Sequence, residues 1–247
     1  MGRQKSQQTS RKVFRSKADG RHTGTLFIVG TPIGSPDDLT LRARTILGKV
    51  SIVAAETPLA TRALLDHHGI AATITAYGGG HEEKIEVLLD RLEAGYDIAL
   101  VSDSGMPVVY DPGRLLIAAA RAAGYSVTVI PGPSALTAAA ALSGFSGDRL
   151  VFAGRLPRAS LQLDRFLSSL RHEAGSTVMF TLSSSVRRVL QRIRRLLPGR
   201  TLIIAVNMTK SDERIYQGDA ATLLKHTVSI GDDAEVTLVL SGKKGRM

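Results

Sequence analysis

Short β-branched runs alternate with helix-forming stretches from residue 25 onward, which limits the chain to an α/β architecture whose first half is a parallel sheet. Residues 26–29, 51–55, 73–75, 98–102 and 126–130 read as strands. Between them, helices are predicted from Asp37 or Asp38 as cap to about Leu47, from Thr57-Pro58 to near His68, and over 82–93, 112–123 and 133–142. Side-chain oxygens satisfy the free N–H groups at a helix start, and proline suits the first helical position. Gly69, Gly95 and Gly124 stand where those helices end, in the left-handed backbone that glycine adopts without strain. Around 145–155 the chain passes through Gly144, Gly147 and Gly154 into a more basic half. There strands at 150–153, 177–181, 202–207, 214–217 and 235–240 outnumber helices at about 159–171, 185–197 and 219–226, which predicts a mixed sheet with hairpins. The expected organisation is a tail over 1–24, an N-terminal α/β domain over 25–149 and a C-terminal α/β domain over 150–242.

Three of the predicted strands end in loops of one kind: G-T-P-I-G at 30–34, S-D-S-G-M-P at 102–107 and P-G-P-S-A at 131–135. Gly-Pro-small loops leave bare backbone that a ligand can approach closely, and in open α/β sheets ligands bind beyond the carboxyl ends of strands. Three such loops on one sheet make a site. No G-x-G-x-x-G follows the first strand and no G-x-x-x-x-G-K-[ST] occurs, so dinucleotide and P-loop readings are weak. His67 and His68 are adjacent, hence about 100° apart on a helix, and His81-Glu82 lacks a second His four residues on, so no metal pattern emerges. Asp103-Ser104-Gly105 and the stretch 143–147 are not G-x-S-x-G, which argues against a serine hydrolase.

With no cysteine the chain has no disulfide, thiolate metal site or thiol nucleophile, and 247 residues bury a core without staples. No Trp and 4% aromatic residues argue against an aromatic platform for single strands. No apolar stretch approaches the roughly 18 residues of a membrane span. None follows the charged N-terminus as a secretory signal would, so a cytoplasmic protein with no membrane partner is expected. The net charge of +10 is uneven: +6 over 1–24, −4 over 25–154, +8 over 155–200 and 0 over 201–247. Such a field attracts polyanions, nucleic acid first among them, although a solvated helix face and a solubilising arm, disordered when free, account for the same charges.

V-G-T-P-I-G at 29–34 with D-D-L-T-L-R-A at 37–43, A-A-E at 54–56 with T-R-A-L-L at 61–65, L-V-S-D-S-G-M-P with D-P-G at 100–113, and V-I-P-G-P-S-A-L at 129–136 carry a resemblance. In order and spacing over residues 25–240 the chain resembles the tetrapyrrole-methylase superfamily, and within it the ribosomal small-subunit methyltransferase I group. The resemblance implies two α/β domains with S-adenosylmethionine in the cleft between them, usually in a homodimer. It also implies methylation of a cytidine ribose 2′-hydroxyl in small-subunit RNA. Its cofactor positions fall on Pro32 near the methionine, on Ser104, Gly105 and Met106 toward the carboxylate or ribose, and on Val109 beside it. Ser134 and Ala135 fall at the methionine end, with Thr181 and Met208 toward the adenosine from the second domain. Glu56, at a strand end facing the cleft, is the candidate proton acceptor or hydroxyl-orienting group; a carboxylate there equally suits the N-terminus of the following helix.

Departures from the group's pattern lie on the acceptor side. A-E-D-T-R-H-T-R in the group is A-E-T-P-L-A-T-R here, Y-E-S-P-H-R is F-T-L-S-S-S at 180–185, and R-E-L-T-K is V-N-M-T-K at 206–210. The group's acidic and histidine cluster before the third helix is thinned to G-G-G-H-E-E at 78–83, and the chain stops just after its last strand, without the short helical extension of many members. Arg187, Arg188, Arg192, Arg194 and Arg195 crowd the helix after the serine run and offer replacement phosphate contacts. Three readings stay open: a ribosomal RNA 2′-O-methyltransferase, a paralogue acting on a small metabolite, peptide or tetrapyrrole, and a non-catalytic RNA-binding protein that keeps the fold. A wide, basic cleft beside Glu56 would admit RNA, and a narrow apolar one would not.

Overall fold

A computed structural model describes residues 23–78, 83–145, 148–226 and 230–243. Most of the basic tail and the His81-Glu82 pair lie outside the described residues. The first half runs β1 (Thr25–Val29), α1 (Leu41–Leu47), β2 (Ile52–Ala55), α2 (Pro58–His67), β3 (Thr73–Ala76), α3 (Lys84–Glu93), β4 (Ile98–Val101), α4 (Arg114–Ala122), β5 (Ser126–Ile130) and α5 (Ala135–Ser143). Its strands form a parallel sheet in the order β3-β2-β4-β1-β5. Successive side chains of a strand point to opposite faces, and both faces here are covered. Val29, Val53, Ala55, Ala99, Val101 and Ile130 pack with Ala43, Leu47 and Leu65 of α1 and α2. Leu26, Ala54, Ile98 and Leu100 pack on the other face with Leu88, Leu92, Leu116 and Ala120 of α3 and α4.

The second half runs β6 (Leu150–Arg155), α6 (Ser160–Ser169), β7 (Ser176–Leu182), α7 (Val186–Leu196), β8 (Thr201–Val206), β9 (Arg214–Asp219), α8 (Ala220–His226) and β10 (Glu235–Leu240). The sheet order is β6-β7-β10-β8-β9, with β6 and β7 parallel and the other pairs antiparallel, the mixed sheet that the pattern predicts. Met179, Leu202, Ile204 and Leu238 face the helical layer of α6, α7 and α8, while Val178, Ile203, Ala205 and Val239 face the opposite way. That opposite face is covered by α5, which precedes the second sheet in sequence but packs on β7, β8 and β10.

Several helix starts fall a few residues from the sequence reading, two of them for a local reason. Asp37 and Asp38 lie in a short 3-10 turn after Pro36, and the cap of α1 is Thr40, whose Oγ1 accepts from the Ala43 N–H at 3.1 Å. Helix α4 begins at Arg114 because Gly113, at φ 127°, stands in a conformation no helix contains. Among the described residues no helix is long and apolar enough to cross a membrane.

Candidate active site

The three small-residue loops follow β4, β1 and β5, three neighbouring strands, and so lie side by side at one edge of the first sheet. Their glycines make that proximity possible. A Cβ on Gly30 would sit 2.8 Å from the Gly132 Cα and 2.6 Å from the Met106 Sδ, and one on Gly132 would sit 2.8 Å from the Gly30 carbonyl oxygen. Thr31 and Gly105 exchange backbone hydrogen bonds of 2.9 and 3.2 Å, and the Thr31 hydroxyl donates to the Ser102 carbonyl at 3.0 Å. The first loop also meets the second sheet: the Ser35 N–H donates to Thr209 Oγ1 at 2.9 Å, and Gly34 leaves no room for a Cβ against the Met208 carbonyl. Val108 and Tyr110, neither of them glycine, sit at φ 74° and 75° in the loop after β4. Strain of this kind costs on the order of 1–3 kcal/mol per residue and concentrates at ligand sites.

Glu56 directly follows β2, next to β4 in the sheet, so its carboxylate meets the loop after β4. The Asp103 N–H donates to Glu56 Oε2 at 3.3 Å. Asp103 is held in turn by the Thr57 N–H at 3.0 Å and the Thr57 hydroxyl at 2.7 Å, which draws that side chain away from capping α2. Burial raises the Glu56 pKa, the Asp103 N–H opposes the rise, and the Asp103 charge adds to it. Asp111 is pushed up to about 6, first by burial and then by the Glu56 charge; a hydrogen bond from Ser102 and the charge of Arg155 pull the other way. A carboxylate raised to about 6, as Asp111 is, is suited to accepting a proton near neutral pH.

A cleft of about 420 Å³, within the range of small-molecule sites, opens between the β4–α4 loop and the second sheet. Ser104, Val109, Tyr110 and Asp111 line one side, and Arg155, Phe180, Thr181, Ser183 and the segment 232–237 line the other. The Tyr110 ring meets Phe180 edge-on at 6.4 Å, and the Arg155 guanidinium lies 5.4 Å from the Tyr110 centroid. Asp111, Asp232, Asp233 and Glu235 outnumber Arg155 there, so the cleft is acidic; Glu56, beside which a basic or an apolar cleft was expected, is not among the residues that line it. An acidic, partly apolar cleft suits a ligand that is both cationic and aromatic.

Of the cofactor positions expected from sequence, Ser104, Val109 and Thr181 line this cleft. Gly105 and Met106 lie in the same loop, Gly105 locked to Thr31 and Met106 against Gly30. Ser134 lines a separate hollow with Ile33 and Thr209, and Pro32 a third with Ser102 and Asp103. Met208 is buried, and Ala135 packs against the same apolar cluster. Asp111, Tyr110 and Arg155 were not singled out from sequence, and Asp103 was read only within the Asp103-Ser104-Gly105 stretch that was set aside as a hydrolase motif. The D-P-G triplet at 111–113 held the signal for Asp111, whereas Arg155 reaches the cleft only through the pairing of β6 with β7.

Residues 25–224 match the family model for tetrapyrrole (corrin/porphyrin) methylases. The chain belongs to that family. It is an S-adenosylmethionine-dependent methyltransferase. Among curated relatives, the ribosomal RNA small subunit methyltransferase I of Thermotoga maritima is 37% identical over 222 residues, 90% of this chain and 100% of that one. The protein of the same name from Xylella fastidiosa is 41% identical over 203 residues, covering 81% and 74%. Among solved structures, a cobalt precorrin-4 methyltransferase of cobalamin biosynthesis superposes with a TM-score of 0.68 at 19% identity, covering 88% of this chain and 94% of that one. A diphthine synthase superposes at 0.65 and 13%, covering 88% and 89%. These two likenesses speak to the fold alone.

Proposed function

We propose that this enzyme methylates the ribose 2′-hydroxyl of a cytidine in small-subunit ribosomal RNA and works as a cytoplasmic homodimer. What carries the acceptor is the likeness to relatives named ribosomal RNA small subunit methyltransferase I, one of them matched along its whole length. S-adenosylmethionine supplies a methyl group on a positively charged sulfur. Ser104, Gly105, Met106, Val109 and Thr181 would hold it, with Pro32, Ser134, Ala135 and Met208 shaping the surrounding loops, and the acidic lining of the cleft favours its cationic centre. Transfer needs the acceptor oxygen aligned behind the methyl, so positioning supplies much of the rate. Glu56 takes the hydroxyl proton or orients the hydroxyl, with Asp111 beside it as a second raised carboxylate. The leucines at 41 and 59, exposed at 82% and 80%, offer apolar area for a subunit contact, which sedimentation equilibrium would detect.

The decisive experiment incubates the protein with methyl-labelled S-adenosylmethionine and small ribosomal subunits from a strain lacking this modification, then digests the RNA to nucleosides. Label in 2′-O-methylcytidine is the expected result. Label on a base, or none in RNA despite calorimetric binding of the cofactor, would overturn the proposal.

A further inference from the structure

The cleft is acidic, so the attraction for an RNA backbone must come from elsewhere on the molecule, and the charge of residues 155–200 shows where. Helix α7 buries Val186, Val189, Leu190 and Ile193, which fixes the direction of its arginines. Arg192 and Arg195 both bond Asp164 of α6, using both of its carboxylate oxygens. Arg188 is turned toward the β6–α6 loop, where it donates to the Arg158 carbonyl at 2.7 Å. Arg187 and Arg194, seven residues apart, share the exposed face of α7 and have no acidic partner among the described residues. Exposed Arg158 and Arg165 extend the same layer, whose one acid on α6 and α7, Asp164, is already occupied.

This layer begins at the cleft. Arg155 lines it, Arg158 follows three residues later, and Ser183, at the start of the turn leading into α7, lines it as well. The 11 residues of α7 carry the charge about 16 Å from that rim, several phosphate spacings along a nucleic acid.

We infer that the exposed arginine face of α7, centred on Arg187 and Arg194, is the docking surface for the phosphate backbone of the substrate RNA. The inference rests on the proposed RNA acceptor and adds where that RNA is gripped. Asp164 serves it by pinning Arg192 and Arg195, which sets the two helices side by side and leaves the outer guanidinium groups free for phosphate.

The test measures binding of purified small ribosomal subunits to the wild-type protein and to the double variant Arg187→Glu/Arg194→Glu across a salt series. Both positions are exposed, so the variant is expected to fold, and calorimetric affinity for S-adenosylmethionine within about twofold of wild type verifies this. Affinity for subunits should fall at least about tenfold near physiological salt, and the slope of log affinity against log salt should shrink by about 2. Unchanged affinity and slope would overturn the inference, as would a wild-type protein that binds anionic lipid vesicles but no subunits. Wild-type protein that binds subunits with the expected salt slope yet transfers no methyl would instead sink the proposed reaction and leave the docking surface standing.

Discussion

At the scale of single residues, Glu56 and Asp111 are carboxylates whose surroundings work against their ionisation. Replacing Glu56 with Gln should abolish turnover and leave S-adenosylmethionine affinity within a few-fold, measured by methyl transfer and calorimetry; near-normal turnover would remove Glu56 from the mechanism. Asp111 gives a stability prediction with a definite sign. Its folded pKa of about 6 lies above the ordinary 3.8, so between those values the folded protein holds a proton that the unfolded chain releases. Stability therefore falls as pH rises through that window, and the penalty stays constant above it. The upper bound is about 3 kcal/mol, which solvent screening at this half-buried position cuts to the order of 1 kcal/mol. Asp111→Asn should unfold at higher urea than wild type at pH 7.5, and the gain should vanish near pH 4. A gain independent of pH would mean that ionisation is not its cause. The place of Glu56 just after a strand was legible in the sequence, whereas the raised pKa of Asp111 was not, because it is set by burial and by a residue 55 positions away.

Strands, caps and glycines lie one scale up, where most boundaries could be read because the signals are local. Thr57-Pro58 starts α2, and Gly69, Gly95 and Gly124 take positive φ where their helices end. The misassigned cap of α1 shows the limit: three candidate residues within four positions compete, and backbone direction after Pro36 selects Thr40 over the two aspartates. What the sequence did not disclose is that the three loops touch one another, since that depends on strand order β4-β1-β5. Contact between them makes Gly30 intolerant of any side chain. Gly30→Ala should cost about 1–3 kcal/mol through overpacking against Gly132 and Met106, and should weaken cofactor binding by displacing the loop after β4. Gly48→Ala is the matched control: its φ is −79° and the nearest atom to a new Cβ is 3.5 Å away, so it should stabilise by about 0.4–1 kcal/mol. Urea unfolding of the two variants compares them directly, and equal effects would refute the close packing of the loops.

For the whole molecule, the boundary read from composition near residue 150 and the boundary drawn by packing do not coincide. Helix α5 stands before it, yet Ala139 is fully buried in a cluster with Val178, Ile203, Ala205 and Val239 of the second sheet. Ile33, from the loop after β1, and Met208, from the β8–β9 connection, belong to the same cluster. The division at 149/150 that we propose is thus one of sheets, while the apolar seam between them is shared. A shared seam couples the two halves on unfolding. Ile203→Ala removes a side chain that is 2% exposed, at a cost of about 2–5 kcal/mol. If the seam joins the halves, the variant should still melt in one calorimetric transition at lower temperature, and amide exchange should accelerate in β1 and β4 as well as in β8 and β10. Faster exchange confined to the second sheet, or two resolved transitions, would show that the halves unfold independently and that the cleft is a hinge between them rather than a rigid slot.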